Sequence, residues 1–266
     1  MRITGGSVPV HHQAQHRSVS KLNPRAYLGA YLATTGRILR QLRADHRSVA
    51  MILVVPSAVI TLMYFMFDDV PKFPGAISPF QTTCLILLGL FPLFVMFLIT
   101  SITMQRERSS GTLERILTTP PLRRLDLLAA YGTAFSVAAA AQAILACIVA
   151  FWLLGFDTKG SPVWVFVIAV INAVLGVGLG LLASAFARTE FQAVQFMPVV
   201  IVPPQLLLAG IIVPRNQMPT WLEWISNAMP ASYALEALQQ VNTHTDLTTI
   251  AVRDIIVVLA FATAAM

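Results

Sequence analysis

The chain alternates between long apolar runs and short polar segments. The apolar runs are, in chain order, 49–67, 80–102, 125–156, 163–186, 191–213 and 254–266. A helix needs about 20 apolar residues to cross the hydrocarbon core of a bilayer. The first five runs have that length, and the last is too short. The pattern therefore predicts a six-span helical bundle whose sixth span is incomplete.

The segment before the first run is polar and basic. Residues 1–23 are rich in glycine, serine, histidine and basic side chains, which is typical of a disordered tail. Residues 24–46 instead place apolar side chains on one helical face and Arg37, Arg40 and Arg43 on the rest. This periodicity predicts an N-terminal amphipathic helix in the cytoplasmic interface, with its basic side chains toward anionic headgroups. An ordinary cytosolic helix is the alternative.

The segment before the last run, 214–240, is apolar but repeatedly interrupted by proline. Its pieces are too short to span a bilayer, and its aromatic residues fit the belt found at membrane interfaces. We expect short re-entrant or interfacial helices that cap the outer mouth of the bundle; an extracellular soluble loop is the alternative. The candidate residues of this outer re-entrant segment are Met218, Pro219, Trp221, Trp224, Pro230, Tyr233 and Glu236.

Composition supports the membrane assignment. The chain is 56% hydrophobic and 11% charged, with a mean hydropathy of +0.72, whereas a soluble domain carries about 25% charged residues. The alternating ten-residue segments that a transmembrane β-barrel requires are not evident in the sequence. The predicted fold class is an all-α integral membrane protein, with residues 24–266 forming one transmembrane domain.

The distribution of positive charge predicts the topology. Of the 18 lysines and arginines, 14 lie in the N-terminal segment, in segment 103–124 and in turn 187–190. The positive-inside rule places these three segments in the cytoplasm and segment 214–251 outside. The net charge of +6 is then explained by the orientation of the chain in a plasma (inner) membrane. We expect lipid rather than nucleic acid as a partner.

The sequence lacks the motifs of catalysis. It contains no HExxH, GxSxG or P-loop pattern, and neither cysteine has metal-site spacing. Charged residues are also missing from the middle of the predicted spans, which argues against proton-coupled transport. We expect no catalytic residue, no metal site and no energy source in this chain.

Uncharged polar residues do occur in the spans. They could line a path for an amphiphilic substrate or simply form interhelical hydrogen bonds. The candidate lining residues are Thr82, Gln142, Asn172, Gln195 and Gln205. Glycines at 176, 178 and 180 predict close helix packing, within one bundle rather than at a dimer seam.

Two motifs together resemble one family. The first is Arg106-Glu107-Arg108 followed by Gly111-Thr112-Leu113-Glu114, Leu117 and Thr119-Pro120. The second is Gly210, Pro214, Met218-Pro219, Trp221-Leu222, Pro230, Tyr233 and Glu236-Ala237-Leu238. Their residues, order and topology resemble the ABC-2 type transporter permeases over roughly residues 25–266.

The resemblance implies a function that the residues alone do not. Permeases of this family are membrane halves of ATP-driven exporters of drugs, lipids or polysaccharides. It implies a dimer of permeases with two copies of a separate ABC ATPase, which binds the ATP and Mg. Segment 103–124 would include the coupling helix, and helix 24–46 would be the connecting helix. The implied ATPase-coupling residues are Arg106, Glu107, Gly111, Thr112, Leu113, Glu114 and Leu117.

One position departs from the family pattern, and one alternative function stays open. Many members carry an acidic residue two positions before the glycine, where this chain has Ser109. A membrane adaptor or immunity protein that binds partners without transport is the alternative. Co-purification of an ABC ATPase with this chain would favour the permease, and its absence would favour the adaptor.

Overall fold

The computed structural model describes residues 24–67, 70, 78–111, 124–211, 213 and 215–266, and these residues form only helices and their connections. The tail predicted for 1–23 lies outside them. The helices are α1 (Pro24–Ala44), α2 (His46–Phe67), α3 (Pro79–Ser109), α4 (Arg124–Ile148), α5 (Pro162–Phe186), α6 (Glu190–Phe196), α7 (Val202–Leu208), α8 (Thr220–Asn227), α9 (Pro230–Thr243) and α10 (Thr249–Ala265). A π-helical turn, Val149–Leu153, extends α4, another, Met197–Ile201, joins α6 to α7, and a 3₁₀ turn, Arg215–Gln217, precedes α8.

Within the described residues, five helical stretches are long and apolar enough to cross a membrane. They are His46–Phe67, Pro79–Ser109, Leu125–Leu153, Pro162–Phe186 and Glu190–Leu208. They correspond to the first five predicted runs, so the multi-pass, all-helical assignment is confirmed. Helix α10 has 17 residues, and its role as a sixth span stays a prediction.

The bounds of two helices differ from those of the predicted spans. Helix α3 does not end at 102 but continues to Ser109. Residues 103–110 contain neither glycine nor proline, and Gly111, with a φ of 69°, ends the helix. The fifth span does not reach 213, since α7 ends at Leu208 and Gly210 turns the chain with a φ of 82°. The first part of the charged segment is therefore the last turns of helix α3.

Helix α5 is the centre of the bundle because its glycines admit neighbours on two sides. A Cβ on Gly176 would overlap the backbone of Leu93 in α3, and one on Gly180 would lie 2.7 Å from the carbonyl oxygen of Phe97. On another side, a Cβ on Gly178 would lie 2.9 Å from Cβ of Ala265 in α10. These glycines are thus used for packing within one chain, as the sequence predicted.

The bundle has two ends of different character. At one, which we call the basic end, Arg108 at the end of α3 reaches Ser184 at the end of α5. At the other, the backbone nitrogen of Gly160 donates to the carbonyl of Val241 at the end of α9. This second end carries the four tryptophans, Trp152, Trp164, Trp221 and Trp224, and all four are exposed. We call it the tryptophan end.

The packing of α5 on α3 predicts the effect of adding a single methyl group. Gly176→Ala should lower the free energy of unfolding by about 1–3 kcal/mol, because the new Cβ has no room against a backbone. Gly36→Ala in α1 is the matched control, since a Cβ there meets nothing within 4 Å. Thermal unfolding of the purified chain in detergent measures both, and equal stabilities would contradict this packing.

Candidate functional site

Three consecutive side chains at the end of α3 bind three different parts of the chain at the basic end. The first, Arg106, forms a bidentate pair with Glu190 at the start of α6, with Nε–Oε1 and Nη2–Oε2 distances of 3.2 Å. Both side chains are exposed, so solvent screens the pair and its net contribution is about 0–1 kcal/mol. The pair therefore orients the start of α6 relative to the end of α3 more than it stabilises the fold.

The second side chain, Glu107, is only 5% exposed. Its Oε1 accepts a hydrogen bond of 2.7 Å from Nε2 of Gln41 in α1. Its Oε2 is buried and has no hydrogen-bond partner in the described part of the chain. The carboxylate lines a cavity of about 120 Å³ together with Tyr131 and Thr103. Glu107 thus faces α1 and the bundle, not an external surface.

The third side chain, Arg108, bonds to the backbone of α5. Its Nη1 donates to the carbonyl oxygen of Ser184 at 2.6 Å. This carbonyl belongs to the last turn of α5, where helix carbonyls lack intrahelical partners and the helix dipole favours a cation. Arg108 therefore provides a hydrogen-bond donor for one carbonyl at the end of α5 and links α5 to α3.

Helix α1 lies against α4 and completes this end. The hydroxyl of Tyr31 is 2.5 Å from Oγ1 of Thr133, and Nη2 of Arg37 donates to the phenol of Tyr131 at 3.5 Å. Ile38 and Leu42 are buried, whereas Leu28 and Leu32 are exposed. The predicted N-terminal segment contains a helix over Pro24–Ala44, and part of its apolar face packs on protein. That it lies in a membrane interface stays a prediction.

The start of α2 is fixed just beyond α1. Asp45 accepts hydrogen bonds from the hydroxyl and the backbone nitrogen of Ser48, at 2.7 and 3.3 Å. These bonds lower the pKa of Asp45 below its ordinary value, and they cap the helix. The small stability that this cap provides is present above the ordinary pKa of about 4 and is lost as the pH falls through the lowered value.

Four of the predicted coupling residues, Thr112, Leu113, Glu114 and Leu117, lie outside the described residues. Gly111 is described and ends α3. The sequence could not predict the partners of Arg106, Glu107 and Arg108, because Glu190, Gln41 and Ser184 are 84, 66 and 76 residues away.

The structure does not gather the five candidate lining residues into one group. Gln142, Asn172 and Gln205 are buried, whereas Thr82 and Gln195 are exposed. Asn172 donates to the carbonyl of Gly89, and Gln205 accepts from the backbone nitrogen of Ala231 at 3.1 Å. Asn172 and Gln205 thus form interhelical hydrogen bonds, which was the alternative to lining a substrate path. A lining role stays a prediction.

In the segment predicted to be re-entrant, the described residues include two short helices, α8 and α9, at the tryptophan end. Pro219 precedes α8 and Pro230 begins α9. Trp221 and Trp224 point outward, whereas Met218 is buried. The phenol of Tyr233 donates to the carbonyl of Asn227 at 2.8 Å. Much of α9 is buried against α3, α5 and α10, so it inserts into the bundle rather than lying across its mouth.

Three charged residues at this end were not singled out from the sequence. Arg215 pairs with the predicted residue Glu236 at 2.6 Å, and Arg253 pairs with Asp254 at 2.7 Å. Asp254 is fully buried. The sequence places Asp254 at the edge of the last apolar run. In the structure α10 begins at Thr249, so Asp254 lies more than one turn inside the helix. Adjacent opposite charges at the start of an apolar run are the signal that could have found it.

Comparisons with known proteins agree on one family. A family model described as ABC-2 type transporter matches residues 30–242, which include both motifs. The probable multidrug ABC transporter permease YbhS of Escherichia coli is 28% identical over 142 residues, covering 53% of this chain and 37% of that protein. The related permease YbhR of Escherichia coli is 29% identical over 145 residues, covering 54% and 39%.

A more distant relative also carries the name of a transport permease. The putative transport permease ycf38 of Porphyra purpurea is 25% identical over 140 residues, covering 53% of this chain and 48% of that protein. The matched stretch spans less than half the length of each of these three relatives. The similarity therefore identifies the family and leaves substrate and partners open.

The contact between α1 and α3 predicts a specific loss of stability. Gln41→Ala removes the hydrogen bond to a buried carboxylate and should cost about 1–3 kcal/mol of unfolding free energy. The matched control is Arg40→Ala, because the exposed Arg40 makes its hydrogen bond within its own helix, to the carbonyl of Gly36, and no other among the described residues. Thermal unfolding in detergent compares the two variants. A Gln41→Ala protein as stable as Arg40→Ala would mean that this bond does not hold α1.

Proposed function

Because the chain belongs to the ABC-2 type transporter family, we propose that it is the permease of an ATP-driven exporter whose ATPase is a separate subunit. The proposed cargo is a lipophilic or amphiphilic compound of the drug, lipid or glycan type. The proposed setting is the plasma membrane, with the N-terminus and the basic end in the cytoplasm. The working unit would be two permease copies with two ATPases.

The observation that carries this proposal is the linkage made by Arg106, Glu107 and Arg108. Through these three residues, the end of α3 is joined to α6, α1 and α5. A push on the chain immediately after Ser109 would reach all four helices at once. This is the mechanical property that an input from an ATPase requires.

The length of α3 supports transmission through the membrane. It has 31 residues, which corresponds to about 46 Å at 1.5 Å per residue. Its backbone packs directly on α5 at Gly176 and Gly180, so the two helices would move as one body. A displacement at the basic end would then arrive at the tryptophan end, where the outer re-entrant helices lie.

The exposed spans are compatible with a second permease copy. Few residues of α2 are buried, and few are buried between Glu190 and Leu208. In a membrane these apolar surfaces contact either lipid or another helix. We propose that part of this surface meets the second copy.

Substitutions in the charged segment test the coupling directly. Gly111 has a φ of 69°, which proline cannot adopt, so Gly111→Pro should redirect the chain that follows α3. Glu114→Arg reverses a charge in the proposed coupling helix. Both variants should insert and retain ATPase activity in the complex, but cells expressing them should lose resistance to lipophilic drugs. Ser109→Ala is the control and should retain resistance.

Two results would contradict the proposal. One is full drug resistance with both Gly111→Pro and Glu114→Arg. The other is affinity purification from native membranes without any nucleotide-binding subunit, which would favour the adaptor or immunity alternative.

A further inference from the structure

A small cavity of about 120 Å³ lies at the basic end, and residues of α1, α3 and α4 line it. We call it the Glu107 cavity, after the buried carboxylate on its α3 side. Two other lining residues, Gln41 of α1 and Arg106 of α3, are exposed, so the cavity borders the protein surface. Glu107 lies two residues before Ser109, the last residue of α3. The cavity is therefore directly beside the point where the proposed ATPase input acts.

The charges that line the cavity do not balance. The carboxylates of Asp45 and Glu107 line it, against the single guanidinium of Arg106 among the described lining residues. Nε and Nη2 of Arg106 already donate to Glu190, which does not line the cavity. Adding Glu190 and Arg37, which contact lining side chains from outside, leaves the count unchanged. The lining thus carries a formal surplus of one negative charge.

Glu107 has hydrogen-bonding capacity that the protein does not use. Its Oε1 accepts from Nε2 of Gln41 at 2.7 Å, whereas its Oε2 is buried without a partner in the part of the chain that the structure describes. By contrast, the carboxylate of Asp45 accepts two hydrogen bonds from Ser48. A buried carboxylate oxygen without a donor is unfavourable. A positively charged donor that enters the cavity would therefore be stabilised most by Glu107.

The rest of the lining shows which kind of cation fits. Ile38 and Leu42 of α1 and Phe135 of α4 line the cavity and are buried. A bare metal ion needs oxygen ligands on several sides, which these side chains do not provide. A lysine side chain matches both parts of the lining, because its alkyl stem packs on apolar surface while its ammonium brings a charge and three donors.

The volume of the cavity agrees with one side chain. A water molecule takes about 30 Å³, so 120 Å³ has room for an ammonium and the last methylenes of its stem. A drug-sized ligand needs a pocket of at least about 300 Å³. The cavity is thus too small for the proposed cargo, and it lies at the end where the proposed partner binds.

We propose that the Glu107 cavity receives a lysine side chain of the ATPase subunit, whose ammonium pairs with Glu107 and whose stem packs on Ile38, Leu42 and Phe135. This inference rests on the proposed function, because it names a contact of the proposed partner. The bond between Gln41 and Glu107 already joins α1 to α3. A lysine at this position would therefore hold the ATPase on both helices at once.

The first test measures the capacity of the cavity in the purified full chain in dodecyl maltoside. The probe is n-butylammonium, which reproduces the stem and ammonium of lysine, and n-butanol is its uncharged counterpart. Calorimetric titration, with empty micelles as background, should show saturable binding of n-butylammonium alone. Glu107→Gln should weaken it about tenfold, as expected for one lost charge-assisted hydrogen bond. Asp157→Asn is the control and should bind normally, since Asp157 is an exposed carboxylate at the tryptophan end.

Thr103→Leu is a second variant, and it keeps every charge. Thr103 lines the cavity, so a larger apolar side chain there should fill part of it and weaken n-butylammonium binding as well. Three outcomes would overturn the proposal: n-butylammonium binding that is unchanged in Glu107→Gln, n-butanol binding as tight as that of n-butylammonium, or no saturable binding.

The second test identifies the source of the amine. The complex of this chain with its nucleotide-binding subunit is purified from native membranes and treated with acetic anhydride, which acetylates accessible lysines. Mass spectrometry should find one lysine of the subunit that is protected with the native chain and acetylated with Glu107→Gln or Thr103→Leu. Equal acetylation of every lysine in these complexes would overturn the inference and leave the proposed function intact. If no nucleotide-binding subunit co-purifies, both are overturned, even where n-butylammonium binds.

Discussion

The direct backbone packing of α3 on α5 is the contact on which the rest of the bundle depends. In a bilayer, helices do not associate by burying apolar surface from water, so they associate by close packing and by hydrogen bonds. Gly176 and Gly180 allow that packing on one side of α5, and Gly178 allows α10 to approach on another. The result is a compact unit of α3, α5 and α10, into which α9 inserts.

This unit connects two chemically different ends. At the basic end, polar side chains of α3 bind α1, α5 and α6. At the tryptophan end, Arg215 and Arg253 converge on Glu236 of α9. Because α3 is a single helix that reaches both ends, the proposed ATPase input and the tryptophan end would belong to one mechanical body.

The sequence predicted the spans better than the sites. Run length and hydropathy identified five spans because the bilayer thickness sets helix length. The sequence placed a coupling helix in segment 103–124 but did not show that α3 continues into it, although Arg106, Glu107 and Arg108 are good helix formers. The partners of these residues depend on how distant helices pack, and local periodicity carries no information about that. Asp254 escaped notice for a related reason, since its burial depends on α9.

Orientation is the claim on which the functional account depends most directly. A chain with Cys84 and Cys147 replaced by alanine, each buried in the structure, can carry a single cysteine at the exposed positions Ser109 or Lys159. Intact cells are then treated with a membrane-impermeant maleimide. Lys159→Cys should be labelled in intact cells, and Ser109→Cys only after the membrane is permeabilised. Labelling of Ser109→Cys from outside would place the basic end away from cytoplasmic ATP and contradict the proposed coupling to an ATPase.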